Sequence, residues 1–87
     1  MKLKVFSIYD AKMGTYQQPF CAQTIGQATR LFDDLVNDQN TGPNKHPEDY
    51  TLFEIGSFED EKGYFESMNT PHSLCLALEL HRASKTQ

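Results

Sequence analysis

The sequence predicts an α+β domain of ββαββα order, a four-stranded, mainly antiparallel sheet with two helices packed on one face. Three observations predict it. Two pairs of β-rich segments are each joined by a turn containing Asp, Lys and Gly, Asp10-Ala11-Lys12-Met13-Gly14 and Glu59-Asp60-Glu61-Lys62-Gly63. One segment combines a helix-start signal with a full apolar stripe. The length, 87 residues, suits a single domain, taken as residues 1–82 with a polar tail at 83–87.

Lys2 to Tyr9 is rich in β-formers and ends at Asp10, where Gly14 can take the positive φ a turn requires. Tyr16 to Gln23 alternates, with Tyr16, Gln18, Phe20 and Ala22 on one side. Pro19 cannot donate to a ladder, so this second strand belongs at an edge or carries a bulge. Thr24 and Gln27 form a Thr-x-x-Gln capping box. Ala28, Leu31, Phe32, Leu35 and Val36 then follow the spacing of a buried helical stripe, which stops at Asn37. Asp38 to Asp49, with two prolines and a glycine, reads as a long polar loop of the kind that is often functional or mobile.

Tyr50 to Phe58 is the third strand, and Tyr64 to Ser67 its return partner across a type I turn with Gly63 left-handed. Thr70 caps a second helix with Pro71 at its first position, and Leu74, Ala77, Leu78 and His81 line one side of it. The two Asp-x-Lys turns hint at a duplicated hairpin-plus-helix unit, although hairpin turns favour Asp and Gly in any case.

Both sides of the strands carry large apolar groups. Leu3, Val5 and Tyr9 lie opposite Phe6 and Ile8. Thr51, Phe53, Ile55 and Ser57 lie opposite Tyr50, Leu52, Glu54, Gly56 and Phe58. Helices on one face leave the other to be covered by a partner. The expected partner-binding set is Phe6, Ile8, Tyr50, Leu52 and Phe58, with His46 from the long loop. A small domain has a thin stability margin, so self-association, most simply as a homodimer, would help.

Composition narrows the function classes. The ten Phe and Tyr residues are enough for a core without Trp, unlike a disordered chain. A formal charge of −4 and a pI near 5.2 disfavour strong sequence-independent binding to nucleic acid, which needs Lys and Arg to release counterions. No signal peptide precedes Asp10, and no run of about 18 apolar residues offers a membrane span.

No catalytic set, cofactor motif or metal motif emerges. His72 and Cys75, with Cys21 and His81, match no zinc spacing. Cys21 beside Phe20 and Cys75 between Leu74 and Leu76 read as packing residues, reduced as in a cytosolic protein. Glu59-Asp60-Glu61 sits on a turn tip as a solvated cluster. The expectation is a binding protein and not an enzyme. A basic-aromatic strip of Lys2, Lys4, Phe6, Lys12, Tyr16 and Lys62 supplies the residue types that bind single-stranded DNA weakly; the same pattern also arises when aromatics form a core and lysines guard a sheet edge.

Met1 to Asp10, Gln18-Pro19-Phe20, the stretch Lys45 to Gly56, and Phe58 with Asp60 and Gly63 resemble the small nonstructural protein of gokushoviruses, microviruses with single-stranded DNA genomes. The similarity runs over about residues 1–80, most specifically from His46 to Gly56. It implies a phage accessory protein made in the host bacterial cytoplasm and absent from the virion. The implied role is in viral DNA replication, at the switch to single-stranded genome synthesis or packaging. It implies docking onto the phage replication-initiation protein or a host replication factor, and possible weak contact with single-stranded DNA. The alternative expectation is a homodimeric structural or host-interaction module with no nucleic-acid role.

Overall fold

The computed structural model describes residues 1–82; the polar tail expected at 83–87 lies outside the described residues. The fold is α+β, as the sequence predicts. Strands β1 (Lys2–Asp10), β2 (Thr15–Tyr16), β3 (Phe20–Ala22), β4 (Tyr50–Glu59) and β5 (Tyr64–Leu76) form one antiparallel sheet. β1 and β4 are central, β5 is one edge, and β2 and β3 share the other by pairing successive parts of β1. Gln17, Gln18 and Pro19 interrupt that edge, which is the bulge that Pro19 predicts.

The two hairpin turns are built alike. Gly14 and Gly63 have φ of 71° and 73°, and each amide donates to the carbonyl four residues back, Asp10 at 2.8 Å and Glu59 at 2.7 Å. They lie at opposite ends of the sheet because β1 and β4 run antiparallel.

Helix α1 (Ile25–Val36) starts as predicted. Thr24 Oγ1 accepts the Gln27 amide at 3.0 Å, and Gln27 Oε1 accepts the Gln23 amide at 2.8 Å. A cap of this kind contributes about 1 kcal/mol. Ala28, Phe32 and Val36 are fully buried against Phe6, Ile8, Ala22 and Leu52, while Leu31 stays 53% exposed at the rim of the stripe.

The segment after α1 is folded, contrary to the expectation of a structureless loop. It holds a short helix α2 (Gly42–Lys45) and a 3₁₀ turn at Pro47–Asp49, with Pro43 and Pro47 buried. Its role is to satisfy the orphan carbonyls at the end of α1. Thr41 Oγ1 donates to the Leu35 carbonyl at 2.7 Å, and Asn44 Nδ2 to that of Val36 at 2.8 Å.

The second helix is much shorter than predicted. β5 continues through Thr70 and Pro71 to Leu76, and only Ala77–Leu80 forms helix α3. The apolar run Leu74-Cys75-Leu76 suits either state locally; pairing of Leu76 with Thr51 and of Cys75 with Leu52 decides it. Residues Met68 to Pro71 bow out of the ladder opposite Ile55, between the pairs Gly56–Ser67 and Glu54–His72. α3 packs Ala77 into the same core, so α1 and α3 cover one face. Asn37 Nδ2 donates to the Leu80 carbonyl at 3.2 Å, and His81 Nε2 lies 2.9 Å from the Asn44 carbonyl, tying the end of the described chain to α1 and α2.

Ile55 decides which side chains face where. Val5 pairs with Gly56 and Phe6 with Glu54, so Ile55 is an extra residue in β4 and reverses its alternation. Leu52 points to the helices, whereas Phe58, of the same parity, pairs with Leu3 on the opposite side.

Candidate interaction face

Away from the helices the sheet presents rows of cross-strand neighbours. Leu3, Phe58 and Phe65 form one, and Val5, Gly56 and Ser67 the next. Ser7, Phe53 and Ser73 follow, then Tyr9 and Tyr16 with Thr51 and Leu76. None of these side chains is charged. Tyr9, Tyr16 and Phe53 form a ring cluster with centroids 4.7 to 6.1 Å apart, mostly edge to face. Phe58 and Phe65 form a second, 4.8 Å apart, at the other end. Between them runs a shallow apolar groove lined by Val5, Pro19, Ile55, Gly56, Phe65 and Ser67. Glu66 borders it, but its carboxylate turns to Lys2 Nζ at 2.9 Å.

The Gln17–Pro19 connection partly roofs this face. Ser7, only 1% exposed, donates its hydroxyl to the Gln17 carbonyl at 2.7 Å. No buried side-chain polar atom lacks a partner among the described residues. The face is therefore apolar and satisfied, with Tyr16 at 45% and Phe65 at 65% exposure as its prominent rings.

The expected partner-binding set needs correction. Phe6, Ile8 and Leu52 are buried under the helices at 0%, 7% and 0% exposure. Tyr50 packs against that same core; burial pushes its phenol up, and the Asp10 carboxylate adds to the shift. Of the strand residues in the set, only Phe58 lies on the open face, because the Ile55 bulge put it there. His46 is exposed at the end of α2, where its ring and the Glu48 and Asp49 carboxylates converge to within 4.8 Å. Such exposed groups are common at protein surfaces and match none of the residues weighed as metal ligands. The residues that sequence reasoning left out of the set are Tyr9, Phe53, Ile55 and Phe65. Alternation did separate Tyr9 and Phe53 from Ile8 and Leu52; what it lacked was which side the helices take.

The basic-aromatic strip is not assembled either. Phe6 is inaccessible to a base. Lys2 and Lys4 share its side of β1 and are occupied by Glu66 and by Glu54, the latter at 3.5 Å. Lys12 and Lys62 sit in the two hairpin turns, at opposite ends of a molecule 48 Å long. Tyr16 alone is an exposed ring, and it lies on the charge-free face. Carboxylates gather at one end, where the Met1 ammonium lies within 3.0 Å of Glu59, 2.9 Å of Asp60 and 3.5 Å of Glu61.

The cysteines and histidines are dispersed. Cys21 is exposed on β3 and Cys75 half-buried on β5, with β1 and β4 between them, about 14 Å of sheet. Burial pushes the Cys75 thiol up, which keeps it protonated at neutral pH. His72 is exposed on β5, and His81 is held at the Asn44 carbonyl.

A family model described as Phage ORF5 protein matches residues 3–80. The chain belongs to the phage ORF5 protein family. No curated protein and no solved structure matches it.

For this ORF5-family protein the geometry carries a direct expectation about DNA. Stacking platforms hold single strands only when cations neutralise the backbone beside them. Here Tyr16 and Phe65 stand on the side of the sheet away from Lys2 and Lys4, and beside Tyr64, the exposed ring on the lysine side, Lys2 is already paired with Glu66. Titration of labelled single-stranded DNA should show no saturable binding at physiological salt, and little gain when the salt is lowered. A steep salt-dependent isotherm, weakened by Tyr16→Ala, would contradict this.

Proposed function

We propose that this ORF5-family protein is a non-enzymatic phage accessory protein of viral DNA replication, acting through protein contacts in the switch to single-stranded genome synthesis or packaging. It works in the host bacterial cytoplasm and stays out of the virion. Its targets are the phage replication-initiation protein or a host replication factor. The observation that carries the mode of action is the charge-free face on which Tyr16 and Phe65 stand exposed, while Lys2 and Lys4, on the helix side with Tyr64, pair with carboxylates. The family match and the resemblance of Met1–Asp10 and His46–Gly56 to the gokushovirus protein support the setting.

Removing the reading frame from the phage genome tests the role. The ratio of single-stranded to duplex viral DNA in infected cells should fall, and a copy supplied in trans should restore it. A trans copy carrying Lys2→Ala and Lys4→Ala should restore it equally, because neither amine is needed for a protein contact on this reading. An unchanged ratio in the deletion would remove the replication role; failure of the lysine variant alone would return DNA contact to consideration.

A further inference from the structure

We propose that the open sheet face is the interface of a twofold homodimer, in which Phe65 of each protomer seats in the groove formed by Val5, Pro19 and Ile55 of its partner. The inference goes beyond the replication role and does not depend on it.

Three observations select a second copy as the occupant. First, knob and hole adjoin on one surface. Phe65 is 65% exposed, unusually so for a ring in a sheet, and it forms one wall of the groove next to it. A twofold axis requires a self-complementary patch, where one residue meets another and that second residue meets the first. A projecting ring beside an apolar recess meets that requirement with one residue type. Second, the charge pattern disfavours charged occupants. The chain carries a net −4, yet among the described residues the strand rows of its open face hold no charged side chain. A phosphate or a charged peptide would lose hydration against Phe and Tyr with no counter-charge to meet it. The same face on a second copy brings no charge to desolvate.

Third, the size is adequate. β1 has 9 residues, so the face is about 30 Å long and, at four strands, about 19 Å wide. Val5 and Ser7 at its centre are already covered, at 4% and 1% exposure, so two such faces bury at most on the order of 1,100 Å² in total, at the lower end for specific interfaces. Aromatic anchors raise the energy density of an interface of that size. Tyr9, Tyr16 and Phe53 at one end and Phe58 with Phe65 at the other supply them.

Analytical ultracentrifugation across a micromolar concentration series tests this with four proteins. Wild type should sediment as two protomers. Phe65→Glu should dissociate it, raising the dimer dissociation constant at least about 30-fold, with unchanged far-UV circular dichroism. Ser67→Lys provides a second probe at an exposed groove residue whose replacement disturbs no packing; it should weaken the dimer in the same direction. Tyr64→Glu lies on the same strand but on the other side of the sheet, opposite Glu59, and should leave the dimer intact. A wild type that remains monomeric at about 100 μM, well above the dissociation constants typical of specific interfaces, overturns the proposal. So does a dimer indifferent to both Phe65→Glu and Ser67→Lys. Equal disruption by Tyr64→Glu also overturns it, since that outcome indicates pairing along the β5 edge. Each of these results leaves the deletion phenotype to be judged separately.

Discussion

Replacing Phe32 by Ala should bring the protein to the edge of unfolding at room temperature. Phe32 is 1% exposed and lies in the core with Phe6, Ile8, Leu52 and Val36, between α1 and the sheet. Truncating a buried Phe costs about 3–5 kcal/mol through lost transfer energy and the cavity left behind. A domain of this size starts near the low end of the usual range, about 5 kcal/mol. The loss is thus comparable to the whole stability. Urea denaturation followed by circular dichroism should show the midpoint collapsing toward zero. Leu31→Ala, one residue away on the same helix but 53% exposed, should move the midpoint little. Comparable loss from both would mean that α1 packs on a different side from the one described.

Gly56→Ala should be the most damaging single-methyl addition in the sheet. A Cβ at Gly56 would lie 2.3 Å from the Glu66 carbonyl oxygen and 3.3 Å from Ser67 Cα. Both are backbone atoms of the paired strand, so no rotamer change relieves the contact and β4 must part from β5. Overpacking of this kind costs about 2–3 kcal/mol, and for a domain of this length that lowers the melting temperature by roughly 10–20 °C. Loss of amide exchange protection should concentrate in Tyr64–Ser67, next to the clash. Gly26→Ala is the matched control. Its Cβ would meet only Thr24 Oγ1 at 3.7 Å, an ordinary contact, and Ala favours the helix. The melting temperature there should hold or rise. A Gly56→Ala protein as stable as wild type would mean that the two strands approach less closely than described.

The bulge beside Gly56 also shapes the candidate face. Without the extra residue Ile55, Phe58 would share a side with Leu52 and fall on the helix side. With it, Phe58 joins Leu3 and Phe65, and Ile55 becomes a wall of the groove. The same insertion that displaces the ladder thus collects the aromatics onto one surface.

Much of this architecture was already legible in the sequence where the signal is local. The Thr24–Gln27 cap and the Ala28, Phe32, Val36 stripe define α1 because a helix closes its hydrogen bonds within a few residues. Gly14 and Gly63 mark their turns because the left-handed backbone there favours glycine, and Pro19 marks the broken edge because it has no amide to donate. The excess of apolar groups on both sides of the strands was equally plain. What only the tertiary structure decided was non-local. Two-residue alternation sorts a strand into sides but does not say which side the helices choose, so Phe6, Ile8 and Leu52 went to the core and Tyr9 and Phe53 to the surface. Ile55 reversed the alternation midway through β4, and the backbone of β4 drew Leu74 to Leu76 into a strand that their own sequence leaves undecided. A strand completes its hydrogen bonds with a distant segment, and register across that gap is set by the packed whole.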